Sequence, residues 1–205
     1  MKKKDIVVGY YLFANFNGTW MWSSTDNVLR CPSCKCKLDT LVTNPDYAFK
    51  RNFKPGVLGV GPAVPMSTSL TSTYDCYDIA TSGFKNYCEA QSYKNLEFVP
   101  LKNDPNHFHL KCHEVIAIDT QATRLRFEDL CPICNNYRNL IFSNPDTLYI
   151  NTEQPIPDGI FRSDVFLASG DNRHQLLIIG PETMLKFKAI GIKKLLYRNV
   201  YTSRE

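Results

Sequence analysis

Two Cys-Pro-x-Cys motifs, Cys31-Pro32-Ser33-Cys34 and Cys131-Pro132-Ile133-Cys134, lie 100 residues apart in this chain. A Cys-x-x-Cys turn aims two sulfurs at one point, and two such turns make a four-thiolate tetrahedron with sulfurs about 2.3 Å from a zinc ion. Such coordination is closed, so the single zinc expected here is structural and performs no chemistry of its own. Bringing the motifs together closes a long loop, but that entropy grows only logarithmically with length. It amounts to a few kcal/mol, against apparent zinc affinities of about 10 to 16 kcal/mol. Two disulfides or a redox-active pair are the competing readings. A redox pair normally occupies a thioredoxin-like strand-to-helix turn, which neither motif resembles.

The remaining cysteines and histidines read differently. Cys36 lies two residues beyond Cys34 and is a spare ligand, and Cys112 is the other cysteine that could substitute. On a strand, Phe108, Leu110 and Cys112 point one way and His107, His109 and Lys111 the other. The expectation is therefore that Cys112 fills core and the histidines face solvent. Cys76 and Cys88 read as small buried hydrophobes, and His174, in Gly170-Asp-Asn-Arg-His174, as a surface-loop residue.

No Ser/His/Asp grouping, phosphate-cradling glycine loop or His-Glu-x-x-His run is present, so no catalytic residues are assigned and an enzyme is not expected. Gly56, Gly59 and Gly61 are followed by Pro62 and Pro65 where a phosphate-binding helix would have to begin. Arg30, Lys35 and Lys37 flank the first motif, and Arg124, Arg126 and Arg138 lie near the second. With Trp20, Trp22 and Tyr137 they would form a basic, aromatic patch suited to nucleic acid if they faced one way.

The elements that must position the cysteines mix strand and helix. Ile6 to Ala14 reads as a strand, and Asn17-Gly18 as the turn of a hairpin carrying Tyr11, Phe13, Trp20 and Trp22 on one face. From Asn44 to Thr73 prolines and glycines predict a long loop. Phe108 to Ile118 and Leu140 to Ile150 read as strands. Two segments, 77–100 and 176–200, each read strand, helix, strand. Ser82 is the expected N-cap of the first helix, with Phe84, Tyr87 and Cys88 on one stripe. Gly180-Pro181-Glu182 starts the second helix, Gly191 stops it, and Lys186 and Lys188 suit its last turns. The segments share the motifs' offset, which a duplication would explain. The expected class is α+β, mostly sheet, with a zinc-ribbon-like four-cysteine site in a single domain over 1–205.

The chain's 205 residues, 43% hydrophobic and 12% aromatic, suffice for one full core. A net charge of +4 is too small to argue for nucleic acid by itself. Lys2 to Lys4 ahead of an apolar run superficially copy a signal peptide, but Asp5 interrupts them and no small-x-small cleavage site follows. No apolar run approaches the roughly 20 residues that span a bilayer, and a cytoplasmic location is expected.

Arg30-Cys-Pro-Ser-Cys34, Leu130-Cys-Pro-Ile-Cys134, and Asp158-Gly-Ile-Phe-Arg162 leading into Leu177-Ile-Ile-Gly-Pro-Glu182 resemble the bacterial double-CXXCG motif proteins, over about Leu29 to Val200. Lys35 and Asn135 stand where that family has glycine. Asn tolerates the left-handed backbone such a glycine supplies, and Lys incurs a modest penalty. Some members are immunity proteins. The resemblance implies a small intracellular protein that binds a cognate toxin and blocks it; the zinc motifs and their flanking cations keep a zinc-ribbon nucleic-acid-binding or regulatory protein as the alternative.

Overall fold

The computed structural model describes residues 5–14, 30–36, 38, 69–73, 76–101, 104–144, 146–152, 154–169, 173–192 and 195–202. The expected Asn17-Gly18 hairpin with Trp20 and Trp22, most of the loop expected over 44–73, Lys2 to Lys4 and Lys37 lie outside these residues. The described chain is α+β, with thirteen strands and two helices. No described helix is long and apolar enough to cross a membrane.

Three sheets form. The four-stranded sheet holds β2 (Leu70–Ser72), β3 (Asp78–Thr81), β5 (Asp104–Cys112) and β4 (Leu96–Leu101), in that spatial order. The six-stranded sheet runs β6 (Val115–Ile116), β10 (Ile160–Ser163), β12 (Leu177–Ile179), β1 (Val7–Ala14), β13 (Leu195–Thr202), β9 (Leu148–Ile150). The third joins β11 (Ala168–Ser169), β8 (Tyr137–Phe142) and β7 (Leu125–Leu130).

Helix α1 (Ser82–Ala90) links β3 to β4, and both of those strands are antiparallel to β5, which lies between them. Helix α2 (Pro181–Ala189) links β12 to β13 across β1 in the same way. Each crossover therefore skips one central strand. The central strand of the second unit is the earliest of the described strands.

The sheet's period of two sorts side chains into two cores. Leu177 and Ile179 of β12 join Leu12, Phe84, Cys88, Leu110, Cys112, Met184 and Phe187 on the helix side. Leu176 and Ile178 point the other way, to Tyr11, Ile118, Leu125, Leu140, Leu148, Phe161 and Val200. A register shift between Val7 and Gly9 accounts for Val8 sharing a cluster with Tyr11. Phe187 is fully buried and meets Phe84 edge-on at 5.6 Å and Tyr87 at 6.0 Å, which ties the two helices together.

Local chemistry sets the helix ends. α2 begins at Gly180, followed by Pro181, and Gly191 past its end has φ +67°. Gly180 is required by close approach, since a Cβ there would lie 2.3 Å from the carbonyl oxygens of both Ile156 and Pro157. α1 starts one residue earlier than the sequence suggested. Thr81, still extended from β3, is the N-cap, and its hydroxyl accepts from the Phe84 N–H at 3.3 Å. Ser82 instead donates to Asn106 O.

Two expected strands break where the chain changes sheet. Phe108 to Ile118 divides into β5, in the four-stranded sheet, and β6, which pairs with β10. Leu140 to Ile150 divides into β8 and β9, which pair with β7 and β13 respectively.

Candidate metal centre

The second Cys-Pro-x-Cys motif closes the β7–β8 hairpin, whose last register pair is Leu130 with Tyr137. Within it Asn135 N–H donates to Cys131 O (2.9 Å) and Cys131 N–H to Asn136 O (2.9 Å). The first motif repeats the pattern, with Lys35 N–H to Cys31 O (3.0 Å) and Cys31 N–H to Cys36 O (3.1 Å). Lys35 and Asn135, at φ 61° and 54°, take the left-handed conformation that explains why a glycine suits those positions. The first turn is braced further by Arg30, whose Nη1 donates to Lys35 O at 3.2 Å.

The two turns meet sulfur to sulfur. Cys31 Sγ lies 3.7 Å from Cys131 Sγ, and Cys34 Sγ lies 3.7 Å from Cys134 Sγ. All four sulfurs fall within 4.8 Å of one another. A tetrahedron with metal–sulfur bonds of about 2.3 Å has edges of about 3.8 Å, so the cluster has the size of a four-thiolate metal site. A disulfide would need sulfurs about 2.05 Å apart, and all eight cysteines are free thiols.

Electrostatics favour thiolate at the first cysteine of each motif. The Cys134 and Ile133 N–H groups point at Cys131 and hold its thiol down to about 6, against opposing burial. The Cys34 N–H, with that of Ser33, lowers Cys31 likewise. Burial pushes Cys34 up to about 12, so its deprotonation requires a nearby cation. The donor set, its closure and its burial fit a tetrahedral thiophilic ion held by Cys31, Cys34, Cys131 and Cys134.

Cys36 is fully buried within the same cluster, but its sulfur is outside the group of four. Cys112 is committed elsewhere. It lies in the core, donates to Ile160 O at 3.0 Å, and burial raises its thiol to about 12. Cys88 is buried on α1, as expected.

Three expectations are corrected. His109 does not face solvent, because β5 is an inner strand whose second face is covered there by Tyr77, 5.2 Å away edge-on. His107 is half-buried and bonded to Asp104 at 2.8 Å, while His113 is exposed. Cys76 is only partly buried and lines a polar cleft with Asp78, His109, Arg162 and His174. His174 is not a free surface-loop residue. It bridges Leu167, exchanging backbone hydrogen bonds of 2.8 and 3.1 Å, and is half-buried. The one sequence signal for that cleft is Arg162, a charged residue between the core positions Phe161 and Ser163.

Among the described flanking cations, Lys35, Arg124, Arg126 and Arg138 are exposed. On the hairpin beside the cluster, Phe127, Leu130, Ile133 and Tyr137 are exposed too, Ile133 by 65%. Phe127 and Tyr137 stack edge-on at 5.1 Å. Comparison of the chain with protein-family models, curated proteins and solved structures finds no match.

Proposed function

We propose that the four thiolates hold one structural zinc ion in a zinc-ribbon-like site, and that the protein is a bacterial immunity protein of the cytoplasm that binds and neutralises a cognate toxin. The observation that carries this reading is the apolar strip on the metal hairpin. A rigid ring pair, Phe127 with Tyr137, and two aliphatic side chains, Leu130 and Ile133, stand in solvent at the end of a short, metal-clamped hairpin. Exposed apolar groups gathered in this way are what a protein–protein interface uses as anchors. The matching crossovers of 77–100 and 176–200 support an origin by duplication. The metal's part is to hold two distant segments in one rigid surface, which a binding protein needs and which requires no catalytic group.

Co-expression with the product of the neighbouring gene, followed by capture and a growth-rescue assay, tests this. Capture that is lost in Ile133→Asp with zinc content unchanged is the expected result. Absence of both capture and rescue refutes it. The second reading, nucleic-acid binding, is favoured by the exposed Arg126 and Arg138 on the same hairpin as the ring pair. It predicts RNA or DNA affinity that falls steeply with salt.

A further inference from the structure

Arg162, which ends the Asp158-Gly-Ile-Phe-Arg162 run, has no role in the metal cluster. Its Nη1 donates to Gln175 Oε1 (2.5 Å), and Gln175 Nε2 donates in turn to Ser163 O (2.7 Å), so the guanidinium is held in a fixed place. Its Nε is buried without a hydrogen-bond partner, and Arg162 enters no ion pair among the described residues. A buried N–H without an acceptor is unfavourable, here on a guanidinium that is itself only partly buried. Such an orphaned donor marks a place for an ion or a water.

The guanidinium lines a cleft of about 30 Å³ between the four-stranded and six-stranded sheets, together with Tyr77, Asp78, His109, His174 and Gln175. One water needs about 10 to 15 Å³ by a comparable measure, so the space accommodates about two oxygen atoms. Two acidic or nucleophilic groups there are already engaged. Asp78 accepts from Ser72 Oγ at 3.0 Å, and the Cys112 thiol donates to Ile160 O.

We propose that this cleft binds a carboxylate, with Arg162 supplying the positive charge and its Nε–H a hydrogen bond. The planar, two-oxygen group matches both the guanidinium and the volume. A phosphate brings four oxygens, which the size of the cleft disfavours. The carboxylate comes either from a small free molecule or from an Asp or Glu side chain of a partner protein. The inference holds whether or not the protein blocks a toxin.

The test is a titration of the metal-loaded protein with formate at constant ionic strength, following the His109 and His174 imidazole signals by NMR. Saturable shifts with formate, and none with phosphate or chloride, are expected. Arg162→Gln should weaken formate by about tenfold or more, the loss of a charged hydrogen bond. If that variant does not fold, the formate-against-phosphate comparison on the unaltered chain decides alone. Displacement of formate by N-acetylglutamate amide identifies a protein side chain as the source, and its failure to compete identifies a free molecule. The proposal is overturned by the absence of saturable formate shifts, by equal shifts with phosphate, or by unchanged affinity in a folded Arg162→Gln.

Discussion

Replacing Cys131 by Ser tests the metal centre most directly. The cluster joins residue 31 to residue 131, so a bound ion closes a loop of 100 residues in the unfolded chain. A cross-link of that span is worth about 4.7 kcal/mol of unfolded-state entropy. Cys131 is also a thiol prepared for metal, held down to about 6 by the Cys134 and Ile133 N–H groups. For a chain of this size each kcal/mol moves the melting temperature by about 2–4 °C, which gives an expected fall of roughly 10–20 °C. Elemental analysis of protein purified under reductant should show about one equivalent of zinc in the parent and a clear deficit in Cys131→Ser. Cys36→Ala is the matched control, since Cys36 is equally buried but stands outside the four. It should keep its full equivalent. The reasoning fails if Cys131→Ser retains its zinc, or if its melting temperature falls no further than that of Cys36→Ala.

Three other outcomes follow from the packing and the buried charge. Phe187→Ala removes the ring between the helices and should cost about 3–5 kcal/mol in urea unfolding, among the larger losses for a single core residue. Gly180→Ala places a Cβ against two carbonyl oxygens and should cost about 1–3 kcal/mol or more, read as a lower melting temperature without loss of metal. Burial pushes the Asp78 carboxyl up to about 7, only partly offset by the Ser72 hydrogen bond. The native state therefore keeps a proton that the unfolded chain, with an ordinary value of about 3.9, gives up. That contribution to stability is complete below about pH 4 and is lost as pH rises through about 7. Urea unfolding of Asp78→Asn should accordingly show a flatter stability profile between about pH 4 and 7 than the parent.

The sequence carried its local chemistry openly and its layering poorly. The paired cysteines, the Gly180-Pro181 helix start and the Gly191 stop are short-range signals, and each depends on a conformation that few residues adopt. Even the departures at Lys35 and Asn135 pointed to a backbone position where φ is positive. The errors arose where a second layer decides the outcome. Alternation along β5 separated His109 from Leu110 correctly, but it cannot reveal that Tyr77 covers the other face. Alternation likewise gave no hint that the chain leaves one sheet for another at His113–Glu114, or between Phe142 and Leu148, because both strands of each pair remain apolar and extended. The Arg162 cleft was unreadable because its walls come from four separate segments, which only the folded arrangement brings together.

The position of β1 bears on how the chain is made. Val7 to Ala14 emerges long before its sheet neighbours β12 and β13, which begin at residues 177 and 195. At translation speeds of about 5–20 residues per second, that strand waits roughly 8 to 33 seconds with both edges bare. Tyr10, Tyr11, Leu12 and Phe13 are then an adhesive stretch on the nascent polypeptide, and a chaperone or a rapid early collapse must shield it. Yield in cells should accordingly depend on holdase supply and growth temperature.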